Sequence, residues 1–447
     1  MDFLPHTAAD DRSMLETIGL SDIGELFEPV PGSVRLEGPL SVPPALSEPE
    51  LLDHLSVLAR KSQGAADLVC FAGGGAYDHH VPSAVTALAS RAEFATSYTP
   101  YQPELSQGVL QAVYEFQTLV CEIFGLEVAN ASLYDGANAV TEAVNLTVRV
   151  TGRERAVVAA SVHPHFTDVL KTYTSGLGLR VDVVPFGDDG VVAWNEIDVG
   201  DAACVVVQSP NVFGRIEDLA GAVAAARGAG ARTVAVSDPT AMGILRPPGA
   251  FGVDVAVAEG ASLGNPMVYG GPYVGLFATT LDLVRQVPGR IAGETLDADG
   301  RRAFVLTLQA REQHIRRAKA TSNVCTNQTL MAIAAGVHLS WLGPEGLRRV
   351  GEVCLRRTAY AARRLAAISG CRVRFEGTHF KEIVVQTPVP GAELVRGLAR
   401  RGFLAGPALG RWFPHLDDCF VIAVTERRTE DDINGLAEAI EKELAER

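Results

Sequence analysis

The chain has 447 residues, a formal net charge of −14 and a pI near 5.2, and 47% of its residues are hydrophobic while 21% are charged. This composition is that of a globular protein long enough to need more than one hydrophobic core. The acidic balance excludes a general affinity for nucleic acid or anionic membranes, because both require a basic surface that displaces counterions. A small metabolite or a protein partner fits this charge better.

The seven cysteines are odd in number and lack paired C-x-x-C spacing, which indicates reduced thiols and no metal site. The N-terminus lacks a basic start followed by an apolar core, and no run reaches the roughly 18 apolar residues of a membrane span. We therefore expect a soluble, unexported protein of the cytoplasm.

Residues 1–65 read as an N-terminal arm with short helices, because prolines interrupt any longer element. One helix start is distinct. Ser47 followed by Glu50 makes a capping-box pattern, and leucines at helical spacing come directly after it.

Residues 66–330 alternate apolar β-rich runs with helical segments, the pattern of a mostly parallel sheet covered by helices on both faces. A long helix is predicted to end at Gly125, a residue suited to a helix C-terminal turn. The predicted crossover helices are 164–175 and 217–229. The predicted strands are 156–160, 181–184, 204–207, 233–236, 254–258 and 273–278.

Residues 331–447 change to long helices and short strands, which predicts a small C-terminal α/β domain. The helices are expected at about 329–341, 345–368 and 429–445. The strands are expected near 371–376, 382–387 and 419–424.

One helix start could bind a phosphate, since free backbone amides and the helix dipole favour an anion there. The segment is Asp135, Gly136, Ala137 and Asn138, directly before a helical run. A helix that begins with Asp-Gly is more often only a capped helix. Alone, the segment is a weak signal.

Two further residues follow in the order that a pyridoxal-phosphate site would need. His163 or His165 could lie over a pyridine ring, and Asp238, after a predicted strand, could pair with a pyridinium nitrogen. Each of these segments could instead be an ordinary turn or cap. Their order along one sheet favours the functional interpretation.

The lysine that would bind this cofactor covalently is missing. It is expected some twenty residues after Asp238, where the chain has Ala261 and Ser262 after Glu259 and Gly260. The whole chain contains five lysines, Lys61, Lys171, Lys319, Lys381 and Lys442, and none is a close neighbour of that place. The residues therefore indicate half of an active site.

Long motifs resemble one known family. Residues 98–108 (YTPYQPELSQG), 128–136 (VANASLYDG) and 288–328, which includes KATSNVCTNQ, are similar to subunit 1 of two-subunit glycine decarboxylase, the P protein of the glycine cleavage system. Residues 71–80 (FAGGGAYDHH) and 270–272 agree as well. The resemblance covers nearly the whole chain.

The resemblance implies an α/β fold of the PLP-dependent transferase-like class (fold type I), with a large domain and a small C-terminal domain. It also implies a sister subunit that carries the cofactor lysine, in a heterodimer or heterotetramer. Together the subunits would decarboxylate glycine and pass the aminomethyl group to the lipoyl arm of the H protein. This chain would then have no catalytic residue of its own, and a vestigial cofactor pocket at residues 135–138, His163 and Asp238.

Two polar segments are candidates for reaching the partner's active site, because polar loops are frequent sites, although they are also frequent interfaces. Subunit packing is the alternative for both. The candidates are Tyr98, Tyr101 and Gln102 in the first segment, and Thr321, Ser322, Asn323 and Cys325 in the second.

Three other possibilities stay open. Arg311, Arg316, Arg317 and Lys319 could form a basic patch for the acidic H protein, although solvated or locally paired charges are the favoured interpretation. The chain could be a self-sufficient enzyme that uses Lys319. It could also be a non-catalytic scaffold or regulator that keeps the pocket as structure.

Overall fold

The computed structural model describes residues 5–36, 38–268 and 270–446. The chain divides into two compact units, residues 1–63 and 64–447. In the described part, no helix is both long enough and apolar enough to cross a membrane.

Helices and strands alternate along residues 66–330 as the sequence predicts. The helices are α1 Ala8–Thr17, α2 Glu48–Ala59, α3 Ser83–Ala89, α4 Ala92–Ala95, α5 Gln107–Phe124, α6 Gly136–Thr151, α7 Pro164–Thr174, α8 Leu219–Gly228, α9 Gln313–Arg316, α10 Thr329–Ala366, α11 Gly391–Arg400 and α12 Glu430–Ala445. The strands are β1 Val69–Cys70, β2 Val128–Ala129, β3 Arg155–Ala159, β4 Arg180–Val184, β5 Cys204–Ser209, β6 Arg232–Ser237, β7 Val255–Glu259, β8 Gly275–Thr279, β9 Ile291–Leu296, β10 Arg302–Thr307, β11 Arg372–Val373, β12 Glu382–Gln386, β13 Phe403–Leu404 and β14 Cys419–Ala423. Strands β9, β10 and β13 and helix α11 were not predicted.

In the first unit, α2 begins as the capping-box pattern predicts. The Glu50 carboxylate accepts a hydrogen bond from the Ser47 backbone N–H at 2.8 Å and one from the Ser47 hydroxyl at 2.6 Å. These bonds satisfy groups that a helix N-terminus would leave without partners.

The second unit is built on a seven-stranded sheet in the order β2-β8-β7-β6-β5-β3-β4. Strands β7, β6, β5, β3 and β4 run parallel, whereas β8 is antiparallel to both β7 and β2. The mostly parallel sheet is therefore confirmed. Gly125 ends α5 with φ +65°, as its position in the sequence predicts.

Both faces of the sheet are covered, and β7 shows why. Val255 and Val257 pack into the cluster that includes α6 and α8, whereas Ala256 and Ala258 pack into the cluster of α5 and α10 on the other face. Successive side chains of a strand point to opposite faces, so an uninterrupted apolar run is what a doubly covered strand needs.

A second, three-stranded antiparallel sheet, β11-β12-β14, lies toward the C-terminus and packs against α10, α11 and α12. The two helices predicted at 329–341 and 345–368 are joined as α10 across a kink at Gly343 and Pro344. Because α10 crosses residue 330 and β1 pairs with β13, the boundary between a large and a small domain stays a prediction.

Candidate functional site

The predicted cofactor landmarks lie around the carboxyl ends of the parallel strands. Asp135 caps α6, His163 follows β3 and caps α7, and Asp238 follows β6. Ligands of open α/β sheets bind at this edge, because loops from several parallel strands meet there.

The start of α6 is occupied by a side chain of the protein itself. The Glu259 carboxylate, at the end of β7, accepts backbone hydrogen bonds from Gly136 at 2.9 Å, from Ala261 at 2.9 Å and from Val274 at 3.2 Å. The Asp135 carboxylate accepts a hydrogen bond from the Asn138 amide at 2.7 Å. An internal carboxylate thus takes the position at a helix N-terminus where a phosphate would otherwise bind.

The same place is also closely packed. A Cβ atom added to Gly136 would lie 2.9 Å from the Glu259 backbone nitrogen and 2.9 Å from Cζ of Phe166. Glycine is therefore required by contact with β7 and α7. Burial raises the pKa of the Glu259 carboxyl to about 7, and the three backbone hydrogen bonds offset this only in part.

Asp238 is bound by a lysine of the same chain. Its carboxylate forms an ion pair with Nζ of Lys381, whose side chain is 1% exposed. Burial alone would raise the pKa of Asp238, but Lys381 and a hydrogen bond from Thr240 lower it overall. The carboxylate is thus already neutralised by an internal cation.

Two more side chains contact Lys381, and one of them binds Glu382. Its Nζ lies 3.2 Å from Nε2 of His79 and 3.5 Å from the centre of the Tyr77 ring. The Tyr77 hydroxyl donates to Glu382 at 2.9 Å, and the Gly74 amide donates to the other oxygen of Glu382 at 2.6 Å. Burial raises the pKa of Glu382 to about 7.

His163 is buried and has both ring nitrogens in contact with backbone groups. Nε2 lies 2.6 Å from the Gly74 carbonyl oxygen, and Nδ1 accepts from the His165 amide at 3.2 Å. The ring of Trp412 lies 6.0 Å away in an edge-on arrangement. Burial lowers the pKa of His163 to about 4, so the imidazole is neutral at physiological pH.

These residues do not fit pyridoxal phosphate. The helix start that would bind the phosphate holds Glu259, the carboxylate that would pair with the ring nitrogen holds Lys381, and no amine follows β7. The structure brings the predicted landmarks to one edge of the sheet. There Glu259 binds the start of α6 and Lys381 binds Asp238, so these groups are not free to bind a cofactor.

Glu259 and Lys381 are the functional side chains of this pocket that sequence reasoning misses. Glu259 stands in the segment where a cofactor-binding amine is expected, and a carboxylate there has no expected role. Lys381 directly precedes the buried strand β12, and an isolated Lys-Glu pair at the start of a buried strand is the signal that could have drawn attention to it.

A second cluster joins the two polar segments that sequence analysis assigns to the partner's site. Arg290 is 4% exposed, and its Nη2 donates to the Tyr101 hydroxyl at 3.0 Å and to the Cys325 carbonyl at 2.8 Å. Its Nη1 donates to Asn327 at 3.3 Å. Arg290 and Asn327 were not predicted as site residues, although Arg290 lies within a family motif.

The remaining predicted residues lie around this cluster with different exposure. Tyr98, Gln102, Asn323 and Cys325 are exposed, and the Tyr98 side chain is 80% exposed. Thr321 and Ser322 are half-buried, and both make local hydrogen bonds, Thr321 to the Arg311 carbonyl and Ser322 to the Val324 amide. Whether any of them reaches a partner's site stays a prediction.

Three residues of the predicted basic patch, Arg311, Arg316 and Lys319, line one cavity, whereas Arg317 does not. Arg311 is 9% exposed, whereas Arg316, Arg317 and Lys319 are exposed. Lys319 ends a short 3₁₀ helix and lines a cavity separate from the landmarks of the cofactor pocket.

A third group brings together three ligand types that are distant in sequence. Atoms of His79, Cys354 and Glu426 lie within 4.8 Å of one another. His79 Nδ1 is already 2.7 Å from a Glu426 oxygen, and the Cys354 thiol is 3.7 Å from that oxygen. The hydrogen bond from His79 lowers the pKa of Glu426 to about 2 despite the burial of this carboxyl. The group is internally satisfied.

Comparison with known proteins identifies the family. The sequence model of the glycine cleavage system P-protein matches residues 1–440. The chain belongs to the P-protein family. The "probable glycine dehydrogenase (decarboxylating) subunit 1" of Moorella thermoacetica is 47% identical over 447 residues, which is 100% of both chains. The corresponding protein of Desulforamulus reducens is 45% identical, over 98% of both chains.

A solved P-protein structure agrees with this assignment and with the fold. The crystal structure of glycine decarboxylase (P-protein) in inhibitor-bound form has a TM-score of 0.90 and 43% identity, and covers 99% of this chain and 100% of that one. A sphingosine-1-phosphate lyase structure from Burkholderia pseudomallei, 16% identical with a TM-score of 0.63, covers 93% of this chain and 94% of its own and supports the fold alone. The predicted PLP-dependent transferase-like fold (fold type I) is confirmed.

Proposed function

We propose that this P-protein chain is subunit 1 of a two-subunit glycine decarboxylase and is inactive alone. In this proposal a sister subunit carries pyridoxal phosphate on its own lysine and supplies the electron sink for decarboxylation. The aminomethyl group then goes to the lipoyl arm of the H protein. The names of the relatives, which are subunits 1, support the requirement for a partner.

The pairing of Asp238 with the buried Lys381 is the observation that carries the proposal. A chain that bound the cofactor itself would need this carboxylate free for a ring nitrogen, and Glu259 would have to leave the start of α6. Breaking a buried ion pair costs about 3–5 kcal/mol, which cofactor binding at this place would have to offset. In this proposal the residues of the pocket stabilise the fold and bind no cofactor.

The chain's contribution to the shared reaction comes, in this proposal, from the Arg290 cluster and the exposed groups beside it. Arg290 joins the loop of Tyr101 to the loop of Cys325 by hydrogen bonds. These bonds fix the two loops that carry the exposed side chains of Tyr98, Gln102 and Asn323. One phenol and two amides can bind a carboxylate or phosphate of the partner's site without adding charge. Their role is to bind and orient.

The test is exchange of the glycine carboxyl carbon with labelled CO2 in the presence of lipoylated H protein and pyridoxal phosphate. Three samples are compared: this chain alone, its lysine-bearing partner alone, and both together. Activity confined to the mixture is the expected result. Exchange by this chain alone would overturn the proposal. It would mean that the pocket binds the cofactor although Asp238 and the start of α6 are bound by Lys381 and Glu259.

Silence in all three samples would point to another substrate or to a scaffold role. The two are separated by co-purification: a complex that assembles but does not exchange glycine carbon argues against glycine as the substrate. A mixture in which no complex forms argues against the partnership itself.

A further inference from the structure

A cavity of about 280 Å³ lies beside the segment that follows β10, apart from the cofactor pocket. Four of its lining residues are cations, in a protein whose net charge is −14. The residues that matter for its chemistry are Arg285, Leu308, Arg311, Arg316, Lys319 and Thr321.

Arg311 is the unusual member of this group. Its side chain is buried, and Nη1 donates to the Val287 carbonyl, but Nε and Nη2 have no hydrogen-bond partner among the described residues. Leaving charged donors buried without an acceptor is costly, so such groups in native proteins usually have an ordered water, an ion or a ligand as partner. Thr321 fixes the Arg311 backbone by donating to its carbonyl from both N–H and Oγ1, at 3.0 and 3.3 Å.

The charge of this cavity is not balanced from within. In the part of the chain that the structure describes, none of its four cations forms an ion pair with a carboxylate. The adjacent acid, Glu312, lies 3.8 Å from Nδ1 of His314 instead. Burial lowers the pKa of Arg311, and the charge of Glu312 offsets this only in part. An anion from outside the chain would restore the balance.

We infer that this cavity binds a small oxyanion of the phosphate class. A guanidinium carries a planar fork of donors that matches two oxygens of such an ion, and Arg311 is one of the residues that line the cavity. Arg285, Arg316 and Lys319 supply positive charge at the rim, and Leu308 gives an apolar wall, which strengthens electrostatic contacts by excluding water. The inference does not depend on the proposed decarboxylase function.

The test is isothermal titration of the purified full chain with inorganic phosphate, with ionic strength held constant by chloride. Saturable binding to one site is expected. Arg311→Gln should weaken binding by more than about tenfold, because it removes charge-assisted hydrogen bonds. Lys319→Gln and Arg316→Gln, which change exposed side chains at the rim of the cavity, should each weaken it by about fivefold.

Arg317→Gln is the matched control, since Arg317 is an exposed cation of the same segment that does not line the cavity. Its affinity should equal that of the wild type. Heats that never saturate, or an equal weakening by Arg317→Gln, would overturn the inference, because either result means that phosphate only screens the surface. Binding should also weaken as the pH falls through the second pKa of inorganic phosphate, because the ion then loses its second charge.

Two sources could supply the same chemistry, a free phosphate ion or an anionic group of the partner subunit. Repeating the titration on the assembled two-subunit complex distinguishes them. Retained binding assigns the cavity to the free ion, whereas binding that is present in the single chain and lost on assembly assigns it to the partner. Both results keep the oxyanion site.

Discussion

Lys381 and Asp238 form an ion pair between the start of β12 and the end of β6, with the lysine 1% exposed. The pair joins the three-stranded sheet to the edge of the seven-stranded sheet, and it removes the acid that would otherwise balance a cofactor ring. One contact therefore contributes to stability and excludes a ligand.

Lys381→Met should lower the free energy of unfolding by about 3 kcal/mol or more, because it leaves a buried carboxylate unpaired. The double variant Lys381→Met with Asp238→Asn should recover much of this loss, since Asn can still accept from the Thr240 amide. Urea denaturation of the four proteins in this cycle measures the coupling. Lys171→Met, which changes an exposed lysine of α7, is the control. A double variant no more stable than the single one would contradict the pairing.

Glu259 should make stability fall as the pH rises. Its pKa is about 7 in the folded protein, against an ordinary value of 4.5, so the folded state retains a proton that the unfolded state releases. Folding is therefore penalised progressively between about pH 4.5 and pH 7, by about 3 kcal/mol in total. Relative to Glu259→Gln, the wild type should be less stable at pH 8 than at pH 5.

The difference between wild type and variant is the quantity to measure, because the titration of all other groups then cancels. Glu438→Gln, an exposed change on α12, should give a difference that does not vary with pH. A pH-independent difference for Glu259→Gln would mean that the three backbone hydrogen bonds fully compensate the burial of the carboxylate.

The fold could be predicted well from the sequence because its signals are local. Apolar runs such as 254–258 identify buried strands, Gly125 marks the end of α5, and the order of elements indicates a doubly covered sheet. The kink at Gly343 and Pro344 is also readable, since the two helices were placed on either side of it. Each feature depends on a few neighbouring residues.

The pocket was predicted only in part, because the side chains that fill it come from segments that are distant in sequence. The landmarks Asp135, His163 and Asp238 were found from their order along the chain. The absent lysine was found too, but the two side chains that replace the ligand's charges were not. Glu259 and Lys381 gain their roles only when α6 and β12 approach the sheet edge.

Pyridoxal phosphate added to the single chain should give no site-specific adduct on borohydride reduction. Lys381 is buried and paired, and Lys319 lies in a different cavity. Peptide mapping of the reduced protein checks this, with an unfolded sample to show the background of non-specific lysine labelling. Stoichiometric label on Lys319 would support the alternative hypothesis that the chain is a self-sufficient enzyme that uses Lys319. Label on Lys381 would show that the pocket opens to the cofactor.

Arg290→Gln should reduce both stability and the exchange activity of the mixed subunits. The change removes charge-assisted bonds to the Tyr101 hydroxyl and the Cys325 carbonyl, each worth about 1.5–3 kcal/mol. Arg290→Lys should recover little, because an ammonium cannot span the same acceptors. Tyr101→Phe is the matched control, since it deletes one acceptor and should cost less. Unchanged activity in Arg290→Gln, with the complex assembled, would separate this cluster from catalysis.

Tyr98→Ala and Asn323→Ala should lower glycine-carbon exchange in the mixture and leave the stability of the single chain unchanged. Both side chains are exposed, so their removal costs the isolated fold little, whereas a group that binds in a shared site is worth about 1 kcal/mol or more per hydrogen bond. An exchange rate reduced at least about fivefold is the expected result. Tyr173→Ala, which removes an exposed tyrosine on α7, should have no effect. If the variants fail to form the complex, Tyr98 and Asn323 belong to the subunit interface. If the complex forms normally but the glycine KM rises or the cofactor affinity falls, they belong to the partner's site.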